Sequence, residues 1–130
     1  MRTLAYYTHE DRRHADMQRA ECTWQEVTAG LAEWAHLFEV PLKAVEPVAT
    51  GFSTASIECQ INLDVGDLNW LTAAHEMAHV IDFKMCGLLG RRQFPAYWRA
   101  HSTRHALIVE LLIAHLKSER WHRGALRSTK

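Results

Sequence analysis

Ile57-Glu58-Cys59-Gln60-Ile61-Asn62-Leu63, then Asp64-Val65-Gly66-Asp67, then a run holding His75-Glu76-Met77-Ala78-His79: the reading of this stretch decides the fold. The first seven residues alternate apolar and polar, which predicts a half-buried strand over 57–63. The next four supply a turn, with Asp67 placed to cap a helix. That helix is expected from Leu68 to Cys86, and Gly87 stands where a helix C-terminus is closed. A strand handed on to a helix, beside further helical patterns, predicts an α+β chain.

Within the expected helix the spacing of His75 and His79 puts both imidazoles on one face, one turn apart. Two such side chains can reach one Zn²⁺ at about 2.0–2.1 Å. Glu76 lies about 100° round the helix from His75, within reach of a water at the metal without being a ligand. Zinc lowers the pKa of that water from about 15.7 to near 7, so a neighbouring carboxylate can take its proton. A catalytic zinc also takes a third protein ligand and keeps one position open. The downstream candidates are His101, His105, Glu110 and His115. His101 and His105 share a helix face, and His115 falls near that of His101. Glu110 is nine residues past His101, on the opposite side. A histidine is therefore favoured, His101 ahead of His105, with Glu110 as the alternative. Taken singly, His105 and His115 read more readily as satisfied buried histidines.

Upstream, Trp24, Val27, Leu31, Trp34 and Phe38 recur at spacings of three and four, predicting a core-packing helix from about His9 to Phe38 that Pro41 ends. Gly30 is its one weak position. Residues 43–50 are a short β candidate, and Pro47 confines it to a sheet edge. Downstream, Gly87 to Pro95 reads as a loop, followed by a helix from roughly Pro95 or His101 to Lys117. Its run Ala106-Leu107-Ile108-Val109 and Leu111-Leu112-Ile113-Ala114 is apolar almost all round, which predicts deep burial. The tail 118–130 reads as basic and loosely held.

The whole chain has 130 residues, 48% of them hydrophobic, with 15 Lys+Arg against 15 Asp+Glu. That supports one domain, its core expected over about 20–117. The neutral total hides a split: residues 1–83 carry 5 basic and 13 acidic side chains, residues 84–130 carry 10 and 2. The basic residues 84–130, Lys84, Arg91, Arg92, Arg99 and Arg104 foremost, are compatible with nucleic acid as well as with an ordinary solvated surface. No run of 18 apolar residues occurs, which excludes a membrane-spanning helix. The polar N-terminus and three scattered cysteines, Cys22, Cys59 and Cys86, lead us to expect reduced thiols and a cytoplasmic protein.

The order of alternating strand, H-E-x-x-H helix, basic loop and His101-Ser102-Thr103-Arg104-His105 opening an apolar helix resembles the SprT/Spartan-type zinc metallopeptidase domain, a minimal zincin. The similarity covers about residues 55–116. It implies a small, mostly antiparallel sheet and zinc held by His75, His79 and His101. It also implies Glu76 as general base in hydrolysis of protein or peptide substrates. Ser102 stands where that family usually has Gly, His105 where it usually has an aromatic residue, and no four-cysteine zinc ribbon follows. Asp82 is on the His75 face and reads as a partner for a ligating imidazole or as a surface carboxylate. Tyr97, Arg104 and a non-ligating His105 are candidates for stabilising a developing oxyanion. The alternatives are a non-catalytic binding or regulatory protein on the same scaffold, and a small helical nucleic-acid-binding module whose motif is accidental.

Overall fold

A computed structural model describes residues 9–18, 20–96 and 98–127. After a helical turn at residues 9–13, the elements are α1 (Ala15–Gln18), α2 (Trp24–Leu37), β1 (Ala44–Val48), β2 (Thr54–Ser56), β3 (Gln60–Asp64), α3 (Trp70–Met85) and α4 (Thr103–Arg127).

The single helix expected over 9–38 is broken near residue 20. Its backbone there is claimed by the entrance to α3 instead of by helical bonds. Trp70 N–H donates to the Ala20 carbonyl at 3.2 Å, Cys22 N–H donates to Leu68 at 3.3 Å, and Glu21 bridges Asn69. Thr23 then starts α2 with a complete capping box: its hydroxyl accepts from Glu26 N–H while the Glu26 carboxylate accepts from Thr23 N–H. The predicted apolar stripe faces inward, with Val27, Leu31 and Trp34 buried and Trp24 and Phe38 packed against them.

The expected strand begins three residues late. Residues 57–59 are a turn joining β2 to β3, and Cys59 takes φ +62. A three-residue hairpin loop characteristically ends in that left-handed conformation. Alternation persisted through the turn because Cys59 is itself buried. The sheet is mixed, not mostly antiparallel. Its order is β1-β3-β2, with β1 parallel and β2 antiparallel to β3. β3 is thus central and both its edges are taken, whereas Pro47 sits on the edge strand β1, as its missing N–H requires.

Asn69, not Asp67, caps α3: its side chain accepts from Thr72 N–H at 2.9 Å, and Asp67 accepts from Asn69 Nδ2 at 2.9 Å. At the other end Gly87 adopts φ +67, its N–H bonding to Lys84 and that of Leu88 to Phe83. Those two bonds make a Schellman close, which a Cβ at Gly87 would strain. The α3 helix between is buried on nearly every side, and Ala73, Ala74 and Ala78 let its neighbours approach closely.

The last helix is longer than expected, running to Arg127 rather than Lys117, so described residues 118–127 of the predicted loose tail are helical. It is also one-sided. His105, Ile108, Val109, Leu112, Ile113 and Leu116 face the core, whereas Leu107 and Leu111 are 57% and 58% exposed. Among the described residues no helix is long and apolar enough to cross a membrane.

Gly30 of α2 marks the tightest helix contact. A Cβ there would lie 2.7 Å from Trp70 Cζ3, whose indole also meets Trp34 edge-on at 6.0 Å. Gly30→Ala should therefore destabilise the protein by about 1–3 kcal/mol of overpacking, partly offset by about 1 kcal/mol of helix propensity. Urea unfolding of the two proteins checks this; a more stable variant would show that Trp70 yields freely.

Candidate metal centre

Four histidines meet in the interior between α3 and the start of α4. His75 and His79 come from one face of α3, as their spacing predicts, with ring centroids 4.8 Å apart. His101 precedes α4 and His105 lies in its first turns. Their centroids are 5.1 and 4.7 Å from that of His75. His75, His79 and His105 are all buried, with one nitrogen from each within 4.8 Å of the others, a group that could hold a metal ion.

The individual nitrogens are not equivalent. Nε2 of His79 and Nε2 of His101 each lie 3.2 Å from His75 Nε2. His105 Nε2 instead sits 3.0 Å from the His75 carbonyl oxygen, which can only accept, so this nitrogen carries the proton. On the far side of its ring, His75 Nδ1 is 2.8 and 3.0 Å from the two Glu10 carboxylate oxygens. Nδ1 donates to that carboxylate, which turns the His75 Nε2 lone pair toward His79 and His101.

Burial sets the protonation of the cluster. It drives His79 far below the ordinary histidine range, His105 to about 3, and His101 downward. Neighbouring imidazoles add to the effect, so these rings are neutral at neutral pH and keep the lone pairs that a metal requires. Glu76 is 5% exposed, and burial pushes its carboxyl up to about 7, with His75 opposing and Glu10 adding. Its Oε2 and His79 Nδ1 have no hydrogen-bond partner among the described residues.

The other sequence candidates are placed elsewhere. Glu110 is not brought to the histidines: its carboxylate pairs with Arg13 on the outer side of α4. Asp82 is fully buried, and its side-chain bonds among the described residues go to Arg104 and Cys86 rather than to an imidazole. It pairs with Arg104 and accepts from Cys86 Sγ at 3.6 Å, so the two candidate helper residues hold α3 and the α4 entrance together. Tyr97 lies outside the described residues. Of the basic residues, Lys84 caps the end of α2 by donating to Phe38 and Glu39 carbonyls at 2.9 and 2.7 Å. Arg91, Arg92 and Arg99 are exposed around a ring stack of Phe94 on Trp98, centroids 4.4 Å apart, which leans on Phe83 next to His79.

Glu10 is the residue beside the histidines that pattern reading missed. It lies 65 residues from His75, and no local spacing connects them. Ion pairs Arg13–Glu110 and Lys117–Asp16 lay its segment along α4 and so carry it to the site. No family model, curated protein or solved structure matches this chain.

The Glu10–His75 bond yields a direct expectation. Carboxylates behind metal-binding imidazoles typically contribute about 10–100-fold in affinity, so Glu10→Ala should weaken zinc binding by that factor. Competition with a chromophoric chelator measures it; unchanged affinity would show that the Glu10–His75 bond contributes nothing to metal binding.

Proposed function

We propose that this protein is a zinc-dependent peptidase in which His75, His79 and His101 hold the metal and Glu76 is the general base. One observation carries the reading: a buried carboxylate with an unpartnered oxygen, beside converging imidazoles. A structural zinc site is closed and needs no base. The donor set suits zinc, because neutral imidazoles are its common ligands and tetrahedral sites with ~2.0–2.1 Å bonds separate their nitrogens by about 3.3 Å. The two 3.2 Å Nε2 separations agree with that value.

His101 is preferred to His105 because His101 Nε2 lies 3.2 Å from His75 Nε2, whereas His105, with Nε2 on the His75 carbonyl, has only Nδ1 to offer a metal. His105 then acts as a strut, fixing the α3 backbone at His75 against α4. When bound, zinc would acidify a water and polarise a substrate carbonyl. Glu76 would accept the proton from that water and return it to the leaving amine. Extended substrate has no place beside β3, whose edges are filled; the outer edge of β2 is the strand edge nearest α3 on that side. The motif order, rather than any matched relative, gives the likeness to SprT-type peptidases.

Glu76→Gln should retain about one zinc per chain yet lose about 10²–10⁴-fold in peptide cleavage. Metal analysis with a quenched-fluorescent peptide tests this; a wild-type protein that takes up no zinc would sink the proposal. His101→Ala should abolish stoichiometric zinc while His105→Gln keeps most of it. The reverse order would transfer the third position to His105.

A further inference from the structure

Residues 9–18 reach the histidines without joining the apolar core. Glu10 and His14 are buried, yet among the described residues no apolar side chain of this segment belongs to the buried core, and Met17 is only partly buried against it. The segment's backbone bonds among the described residues are local: His14 N–H donates to Glu10 at 2.9 Å and Met17 N–H to His14 at 3.0 Å. Helical pieces of about one turn do not hold their own shape in water, so the segment's place depends on what its side chains grip. Three ionic contacts tie it to the rest. Arg13–Glu110 and Asp16–Lys117 are exposed pairs on α4, the second at 2.8 Å, whereas Glu10 on His75 Nδ1 is buried. Both flanks of the segment are loosely packed. A cavity of about 270 Å³ is lined by Glu10 and Asp11 together with the loop 51–53. Another of about 30 Å³ is lined by Arg13 and His14 together with Ala106 and Val109 of α4.

The three contacts are unequal. Exposed pairs are screened by salt and contribute little alone. Docking takes the Glu10 carboxylate out of water, which is costly unless His75 meets it with a strong hydrogen bond. A metal on His75 Nε2 would draw electron density from the ring and make Nδ1–H a better donor to Glu10. We infer that residues 9–18 are a strap fastened by metal binding: an ion at His75 tightens the Glu10 bond, and the docked strap raises the affinity for that ion by the same factor. Arg13 and Asp16 are then positioning residues, which pair with α4 and act on the metal through Glu10. A metal-free chain releases the strap, and a change that pulls the strap from α4 loosens the metal. The inference rests on the metal site of the proposed function and is independent of peptide cleavage.

Hydrogen exchange of the full chain with and without zinc, followed by mass spectrometry, tests the coupling. Zinc should slow exchange across residues 10–18 by about 10–100-fold, the factor that a carboxylate behind a metal-binding imidazole contributes. Glu10→Ala should remove that slowing while the α2 amides, which report on folding, stay as in the wild type. Arg13→Glu, an exposed change that sets like charges against each other, should weaken zinc binding by about two- to fivefold, and adding Glu110→Arg should restore it. If zinc binds and exchange across residues 10–18 does not change, the inference falls and the metal site stands. Slowing that persists in Glu10→Ala also overturns it, as does wild-type zinc affinity in Arg13→Glu or a loss that the charge swap does not rescue. A chain that takes up no zinc fails the metal site itself, and the strap with it.

Discussion

His75 is held at three points, and the arrangement of the interior follows from that restraint. Its Nδ1 is bonded to Glu10, its Nε2 faces His79 and His101, and its carbonyl accepts from His105. A buried imidazole without partners is costly, so each contact obliges a separate part of the chain to be in place. The N-terminal segment must dock, α4 must begin at the right height, and α3 must present a face on which small alanines leave room. The Asp82–Arg104 pair ties α3 to α4 one turn further along. Asp82 is fully buried while Arg104 stays 39% exposed, so losing Arg104 would leave a buried carboxylate without its counter-charge, which makes the pair a constraint on register rather than a reserve of stability.

Charge is arranged around this centre as it is along the chain. The acidic half supplies His75, Glu76 and His79 together with Glu10 behind His75. The basic half supplies His101 and His105, and the exposed Arg91, Arg92 and Arg99 beside an aromatic stack. Part of the apparent basic surface is internal hardware, however: Lys84 closes a helix end and Arg104 neutralises a buried aspartate. A count of lysines and arginines therefore overstates what is offered to a partner.

What could be read without coordinates was local. His75, Glu76 and His79 were legible because four residues make a turn of helix, whatever the rest of the chain does. The core face of α2 was legible for the same reason, as was Gly87, whose positive φ follows from its place after a helix. The preference for a histidine over Glu110, which stayed the alternative, also came from helical phase alone. Reading failed where apolar periodicity ran past an element's true end. Cys59 continued an alternation through a turn, and Leu107 and Leu111 continued an apolar run on a helix that buries only one side.

Neighbours in the chain were enough to give the helices Trp24–Leu37 and Trp70–Met85, the histidines that could ligate a metal and the split of charge, but not the break near residue 20 or the helical stretch 118–127. Tertiary contacts alone make β3 central, put Glu10 behind His75, and give His101 and His105 different neighbours at His75. Those contacts join residues separated by 26 to 65 positions in the two clearest cases. Their geometry is set by how α3 is enclosed on all sides, which no local periodicity encodes.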